Sequence, residues 1–342
     1  MRFRHDVARV AVALLTGMTS SAARADETPL LVAGALFDSA SPTVAPLLVL
    51  RVPTSSGGAL SVSQLGWTSG LALDLLQDPH WRWTNTLAFT PVRAHLSHDV
   101  YDERGRELPS ARFDDSSLRI TSGEAWEARH VRIALHLLLQ KEWLSFLPPE
   151  QAAGFAAPFV GVESSVTVEA IRAEVPLAER LDGVRASARV EVAAGDRRWL
   201  EGDLRVALGR RWGIGSVALE AGGFYVSLDH PVTNVNVGGS WDVLGPLALV
   251  GHPLGAFRAS RVGAATARCD VDLSRHVTLG ARQSLLVGAS SVHDGLALIL
   301  SASSWGVHLF AGWGSPDRAI FRGEWRRTTV FAGLTAALLF LP

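Results

Sequence analysis

Between Val184 and Val192 every even-numbered residue is apolar and every odd one, Arg185, Ser187, Arg189 and Glu191, is polar. Successive side chains of an extended strand point to opposite faces, so this two-residue period predicts a β-strand with one apolar and one polar wall. The same alternation sets Ala265, Ala267, Cys269, Val271 and Leu273 against Thr266, Arg268, Asp270 and Asp272. It sets Leu204, Val206 and Leu208 against Asp203, Arg205 and Ala207, and Val131, Ile133, Leu135, Leu137 and Leu139 against Arg132, Ala134, His136, Leu138 and Gln140. Looser versions run through 60–76, 80–89, 161–175, 216–225, 277–287, 296–303, 307–313, 319–325 and 329–340. Pro176 interrupts 168–181, which reads as strand, turn, strand rather than as a helix.

Alternation alone does not separate a soluble sandwich from a membrane barrel, because either puts its polar face in water. Three features favour the barrel. The apolar face uses small residues freely (Ala186, Ala188, Ala265, Ala267), which a lipid-facing wall tolerates and a close-packed core does not. Short turns at Asp78-Pro79 and Asp182-Gly183 contrast with long connections over 97–117 and 144–160, the asymmetry of a bacterial outer-membrane barrel. Tryptophans at 81, 83, 143, 199, 212, 241 and 325 fall near strand ends, where amphipathic rings suit the membrane interface. At roughly 20 to 27 residues per strand and connection, the expectation is an all-β fold, an antiparallel transmembrane β-barrel of about 12 to 16 strands.

Composition narrows the classes further. The 32 basic and 33 acidic residues nearly cancel, which argues against nucleic acid as a partner. No apolar run reaches the length of a membrane-spanning helix. A single cysteine, Cys269, rules out an internal disulfide framework. Arg2 and Arg4 precede an apolar stretch from Val10 to Leu15 and then Ala23-Arg24-Ala25, the pattern of a signal peptide cleaved after Ala25. Residues 26–342 are then a single barrel domain, exported and mildly acidic.

Val237-Gly238-Gly239, followed by Leu249-Val250-Gly251-His252-Pro253-Leu254-Gly255-Ala256-Phe257-Arg258, resembles the late-barrel region of the BamA and TamA type of bacterial surface-antigen barrels. In that family a Gly-Gly strand end leads into a loop with an Arg-Gly-aromatic motif, often followed by Pro-x-Gly-x-Phe. The resemblance implies that this loop folds back into the lumen and is held there by its arginine. Here Val250 stands at the arginine position and His252 at the aromatic one, leaving Arg258 or Arg261 as substitutes. Gly238, Gly239, Gly251, Pro253, Gly255, Phe257 and Arg258 are the motif-loop candidates. The family's periplasmic repeat domains have no counterpart, since strands begin near Leu30. The segment 329–340 resembles a terminal strand of the kind that barrel assembly machinery recognises, with Phe340 followed by Leu341 and Pro342.

The chemistry-bearing residues point to a wall rather than to a reaction. Eleven histidines are scattered, without an H-E-x-x-H or H-x-H pair. His95 and His98 are read as belonging to a surface loop. His136 with Ser187 or Ser165 is the pair to consider for a barrel lipid hydrolase, but sharing a face with Arg132 and Gln140 makes His136 a lumen-lining residue. Arg132, His136, Arg185, Arg189, Glu191, Arg205, Arg268, Asp270 and Arg282 are the lumen-lining candidates. Mixed charges across a narrow interior are expected chiefly to pair with one another. The resulting expectation is a non-enzymatic outer-membrane barrel of the surface-antigen type, related to assembly or transport, without metal or cofactor. Outer-membrane lipids and the assembly machinery are its expected partners, and the oligomeric state is left open. The alternatives are a porin-like pore with a charged lumen, a barrel lipid hydrolase and a secreted soluble β protein.

Overall fold

The computed structural model describes residues 30–39, 43–54, 58–65, 68–78, 83–98, 113–128, 130–145, 153–155, 157–175, 180–230, 233–237, 249–252, 257–288, 292–304 and 307–339. Residues 1–25, the expected signal segment, lie outside them. The strands are β1 (Leu30–Asp38), β2 (Thr43–Pro53), β3 (Ala59–Leu65), β4 (Thr68–Asp78), β5 (Trp83–His98), β6 (Phe113–Ala128), β7 (Val131–Ser145), β8 (Phe159–Val175), β9 (Arg180–Ala194), β10 (Arg198–Trp212) and β11 (Gly215–Val226). They continue with β12 (Val235–Val237), β13 (Phe257–Ala259), β14 (Arg261–Asp272), β15 (Val277–Gly288), β16 (Val292–Ser304), β17 (Val307–Pro316) and β18 (Thr329–Leu339). Sixteen of them close an antiparallel barrel. The remaining two, β12 and β13, pair only with each other.

Each barrel strand bonds to its neighbours in sequence, and β1 closes on β18 from Leu30↔Leu339 to Asp38↔Phe331. Closure removes every sheet edge, as hydrocarbon demands of a spanning sheet. The outward face is apolar: Leu135, Leu137, Val160, Val190, Val192, Leu204, Leu219, Leu298, Leu300 and Leu309 are all exposed. In water such a surface is a liability, and facing acyl chains it is the low-energy arrangement.

Connections sort by length onto two ends. The long ones, 99–112, 146–158, 227–260 and 317–328, follow β5, β7, β11 and β17, while 129–130, 213–214 and 305–306 join strands at the opposite end, where β1 starts and β18 ends. Trp143 and Trp325 are exposed at the long-loop end and Trp212 at the short-turn end.

Four local expectations are corrected. Residues 60–76 form two strands, not one, separated between Leu65 and Thr68. Asp182 and Gly183 lie within β9, where the register against β8 shifts between Ile171 and Ala173, so they do not form the turn between the two strands; the connection 176–179 lies outside the described residues. Residues 319–325 are not a strand. Arg318 in the left-handed region turns the chain into a 3-10 turn over Ala319–Arg322, and a second follows over Trp325–Arg327. His95 and His98 belong to β5 rather than to a loop; their side chains, and Asp99, lie outside the described residues.

Candidate functional site: the barrel lumen and its internal loop

The inner wall carries every described polar face. Arg132 and His136 on β7, Arg185, Arg189 and Glu191 on β9, Arg205 on β10, Arg268 and Asp270 on β14 and Arg282 on β15 alternate with outward residues such as Ile133, Val190, Leu204, Val271 and Leu279, which are exposed. Register then aligns His136, Glu163, Glu191 and Glu201 as one cross-strand row over β7 to β10. Like charges directly opposite repel, and two arginines bind this row together. Arg119 of β6 reaches Glu163 at 2.6 Å and Glu191 at 2.9 Å. Arg189 contacts Glu163 at 3.3 Å, Glu191 at 3.6 Å and Asp203 at 2.7 Å, and also pairs with Glu201. Gln140 donates to Glu142 beside them.

Separate pairs lie elsewhere on the wall. Arg185 meets Glu169 at 2.9 Å. On β14, Arg268 donates to both oxygens of Asp270 at 2.8 and 2.9 Å, and Ser216 adds a hydroxyl at 3.3 Å. Arg205 is 3.9 Å from Asp203, while Arg282 is buried opposite Arg268 in the register. Sequence reasoning missed Arg119, Glu163 and Glu201. Glu163 shares parity with Glu169, and Glu201 with Arg205, so a strict phase count would have found both.

His136 Nδ1 lies 3.7 Å from Glu163 Oε1. Ser165 stands opposite Ala134 and Arg189, and Ser187 opposite Thr167 and Arg205, so register sets neither hydroxyl across from the imidazole. Among the described residues no group of three His, Cys, Asp or Glu is placed to hold a metal ion.

The described parts of the connection 227–260 pack inside the long-loop half of this lumen. The β12–β13 hairpin buries Val235, Val237 and Phe257 against Leu138, Phe159, Ala193, Trp199, Phe224, Val262 and Leu286, inner-face residues of β7 to β11, β14 and β15. Phe155, from the loop after β7, packs 5.9 Å from Trp199 and 4.7 Å from His230, centroid to centroid. Trp199 is therefore not a membrane-interface residue. It has the parity of Glu201 and Arg205 and points inward, 7% exposed.

Between β12 and β13 the chain makes a β-turn in which His252 N–H donates to Leu249 O at 3.2 Å. Gly251, its third residue, has φ +86°, the position at which a type II turn demands glycine. The turn presses Val250, 0% exposed, into a socket of Leu36, Ala297, Ile299, Phe310 and Phe331 from β1 and β16 to β18. The socket is built by exchange: the Phe331 ring covers Gly312 and the Phe310 ring covers Gly333, in two adjacent register pairs.

His252 completes the anchor. Its Nε2 donates to Asp294 O at 3.1 Å and lies 3.6 Å from Asp317 Oδ1, which His293 Nδ1 approaches to 3.4 Å. Phe257 stacks 4.1 Å from the His293 ring. Burial works to raise the Asp317 carboxyl, but the close approach of His252 and His293 and the Asp294 N–H outweigh it and hold the group at about 2.

Among the described residues the anchor is thus Val250 and His252. Arg261 does not substitute: paired with Tyr225 on the outer face, it lies over that ring at 5.2 Å. Arg258 lies on β13, opposite Asn236, and its side chain is outside the described residues, as are Gly238, Gly239, Pro253 and Gly255.

No protein-family model and no curated sequence matches the chain. Solved structures do. The barrel is similar to BamA from Haemophilus ducreyi lacking POTRA domains 1-3, with a TM-score of 0.65 at 9% identity over 91% of this chain and 70% of that one. It is similar to CdiB from Escherichia coli, with a TM-score of 0.58 at 13% identity over 90% and 63% of the two chains. CdiB from Acinetobacter baumannii gives 0.57 at 10% identity over 91% and 60%. The chain therefore spans less than two thirds of either CdiB structure. At these identities the common property is the fold, a sixteen-stranded barrel of the BamA and CdiB type.

Proposed function

We propose that the chain is an outer-membrane β-barrel of the bacterial surface-antigen type, acting without enzymatic chemistry in outer-membrane assembly or transport, with loop 227–260 as its internal plug. The apolar outer face and the split between long and short connections support the outer-membrane location. The observation that carries the functional reading is the anchored loop. Val250 and His252 tie it to β1 and β16 to β18 while the hairpin packs on β7 to β11, β14 and β15, which supports a lumen filled by the chain's own loop at the long-loop end. A barrel built to pass solutes freely gains nothing from such a fixture.

A porin-like pore is the second reading, favoured by the arginine and glutamate row on β6 to β10. Planar-bilayer recording separates the two. The plugged reading expects a quiescent barrel with rare, irregular openings. Steady, uniform channels whose conductance changes on replacing Arg185 and Arg189 by glutamine would favour the pore.

A further inference from the structure

The connection 317–328 crosses the rim of the barrel. Its first residue, Asp317, faces inward to His252 and His293. Trp325 lies on the other side, 6.4 Å centroid to centroid from Trp313 of β17. Trp313 is flanked in the register by Leu298 and Val330, both about half exposed on the outward wall. Phe321 and Trp325 are 73% and 63% exposed. Two large rings left open to solvent are costly in water and favourable at the boundary of headgroups and acyl chains. They extend the lipid-facing wall upward at this one sector.

Four arginines share the segment with two carboxylates, Asp317 and Glu324. Arg318 leans on Asp294 at 2.5 Å, Arg327 on Glu324 at 2.9 Å, and Arg322 donates to the Asp317 carbonyl at 2.7 Å. All three keep about half or more of their side chains exposed. Arg326 is exposed and has no partner among the described residues. Arg322 also lies 3.5 Å from Glu324, and Arg327 3.5 Å from Asp317 beside the two histidines; with four arginines against these two carboxylates the segment keeps a net positive charge. The backbone is fixed before anything binds: Glu324 N–H donates to Ala319 O at 2.9 Å, Arg327 N–H to Glu324 O at 3.0 Å and Thr328 N–H to Trp325 O at 3.1 Å. A preorganised loop holding planar guanidinium groups beside interfacial rings matches a phosphate that is itself held at a membrane surface.

We propose that this rim segment binds the phosphate of a phosphorylated glycolipid in the surrounding leaflet, with Arg322 and Arg326 on the phosphate and Phe321 and Trp325 against its acyl chains. The inference rests on the outer-membrane reading of the chain. Phosphate free in solution offers the arginines the same oxygens but nothing to the two rings, which is why the lipid is the occupant.

The test uses the full chain refolded in bicelles and titrated with diphosphorylated lipid A or with the same acylated disaccharide stripped of phosphate. The parent is expected to prefer the phosphorylated form by about tenfold or more, the scale of one charge-assisted hydrogen bond. The Arg322→Gln, Arg326→Gln double variant, which leaves the Val250 and His252 anchor untouched, is expected to lose that preference. Trp325→Ala is expected to weaken both lipids alike. Equal binding of the two lipids by the parent, an undiminished preference in the double variant, or displacement by equimolar inorganic phosphate would each overturn the proposal. Unheated electrophoretic mobility separates the failures: a heat-modifiable parent without lipid preference sinks the lipid site alone, and a parent without heat-modifiability sinks the membrane barrel with it. Should the double variant not refold, the single Arg326→Gln replaces it, with a several-fold loss of preference expected and no loss contradicting the site.

Discussion

The carbonyl oxygen of Val250 occupies the space that a side chain at position 295 would need: a Cβ built on Gly295 falls 2.0 Å from it. Loop and wall are fitted backbone to backbone at this point, between the turn 249–252 and β16. Gly295→Ala is therefore expected to lift the turn from its socket and destabilise the barrel by about 1–3 kcal/mol. The measurement is the temperature at which the fast-migrating unheated band converts to the slow one, and an unchanged temperature would contradict the contact.

The socket around Val250 is made of Leu36, Ala297, Ile299, Phe310 and Phe331, with no carboxylate among them. An arginine at this position, as the resemblance to surface-antigen barrels implies, would bury a cation with no acceptor in this socket. Val250→Arg is expected to cost ~3 kcal/mol or more and to expel the turn, whereas Val250→Ala should cost about 1–2 kcal/mol by leaving a small cavity. Thermal conversion of both variants checks the order, and an arginine variant as stable as the parent would refute an apolar anchor.

Glu163, Glu191 and Glu201 stand side by side on β8, β9 and β10, held by Arg119 and Arg189. Removing Arg119 as Arg119→Met leaves Glu191, 4% exposed in its side chain, facing two other carboxylates. A loss on the order of 3 kcal/mol is expected, with partial rescue by Glu191→Gln in the same chain. Absence of rescue would show that Arg119 acts through packing alone.

Asp317 gives the loop anchor its response to acid. Its carboxyl sits at about 2 in the folded chain, below the value near 4 of an unfolded aspartate. A carboxyl depressed on folding adds stability above the unfolded value and loses it as the pH falls through the folded one. The anchor is thus expected to weaken between about pH 4 and pH 2, and Asp317→Asn to flatten the change. Equal acid sensitivity of the two chains would place it elsewhere.

Legibility followed the regularity of each strand. In β9, β10 and β14 alternation is strict, so the lumen phase of Arg185, Arg189, Arg205, Arg268 and Asp270 follows from parity alone. Along β6 the run Asp114-Asp115-Ser116-Ser117 blurs the period, and β5 opposite slips register between Val92 and Leu96. Arg119 was invisible for that reason. The anchor is a different case. The family pattern announced a loop folded inward, with Gly251 among its residues. The socket, however, joins Leu36 to Phe331 across the closing strands β1 and β18, a meeting that exists only once the barrel has closed. Residues 319–325 misled because Arg322 and Glu324 alternate with Phe321, Gly323 and Trp325, while Arg318 and Gly323, both at positive φ, break the extended backbone.

The central claim is that loop 227–260 fills the lumen of a closed membrane barrel, and single-channel recording tests it most directly. The parent is compared with a chain whose residues 234–258 are replaced by a short glycine-serine linker, each first shown to be heat-modifiable. The expected result is a nearly silent parent and a large, steady conductance in the shortened chain. Equal conductance of the two would contradict the plug.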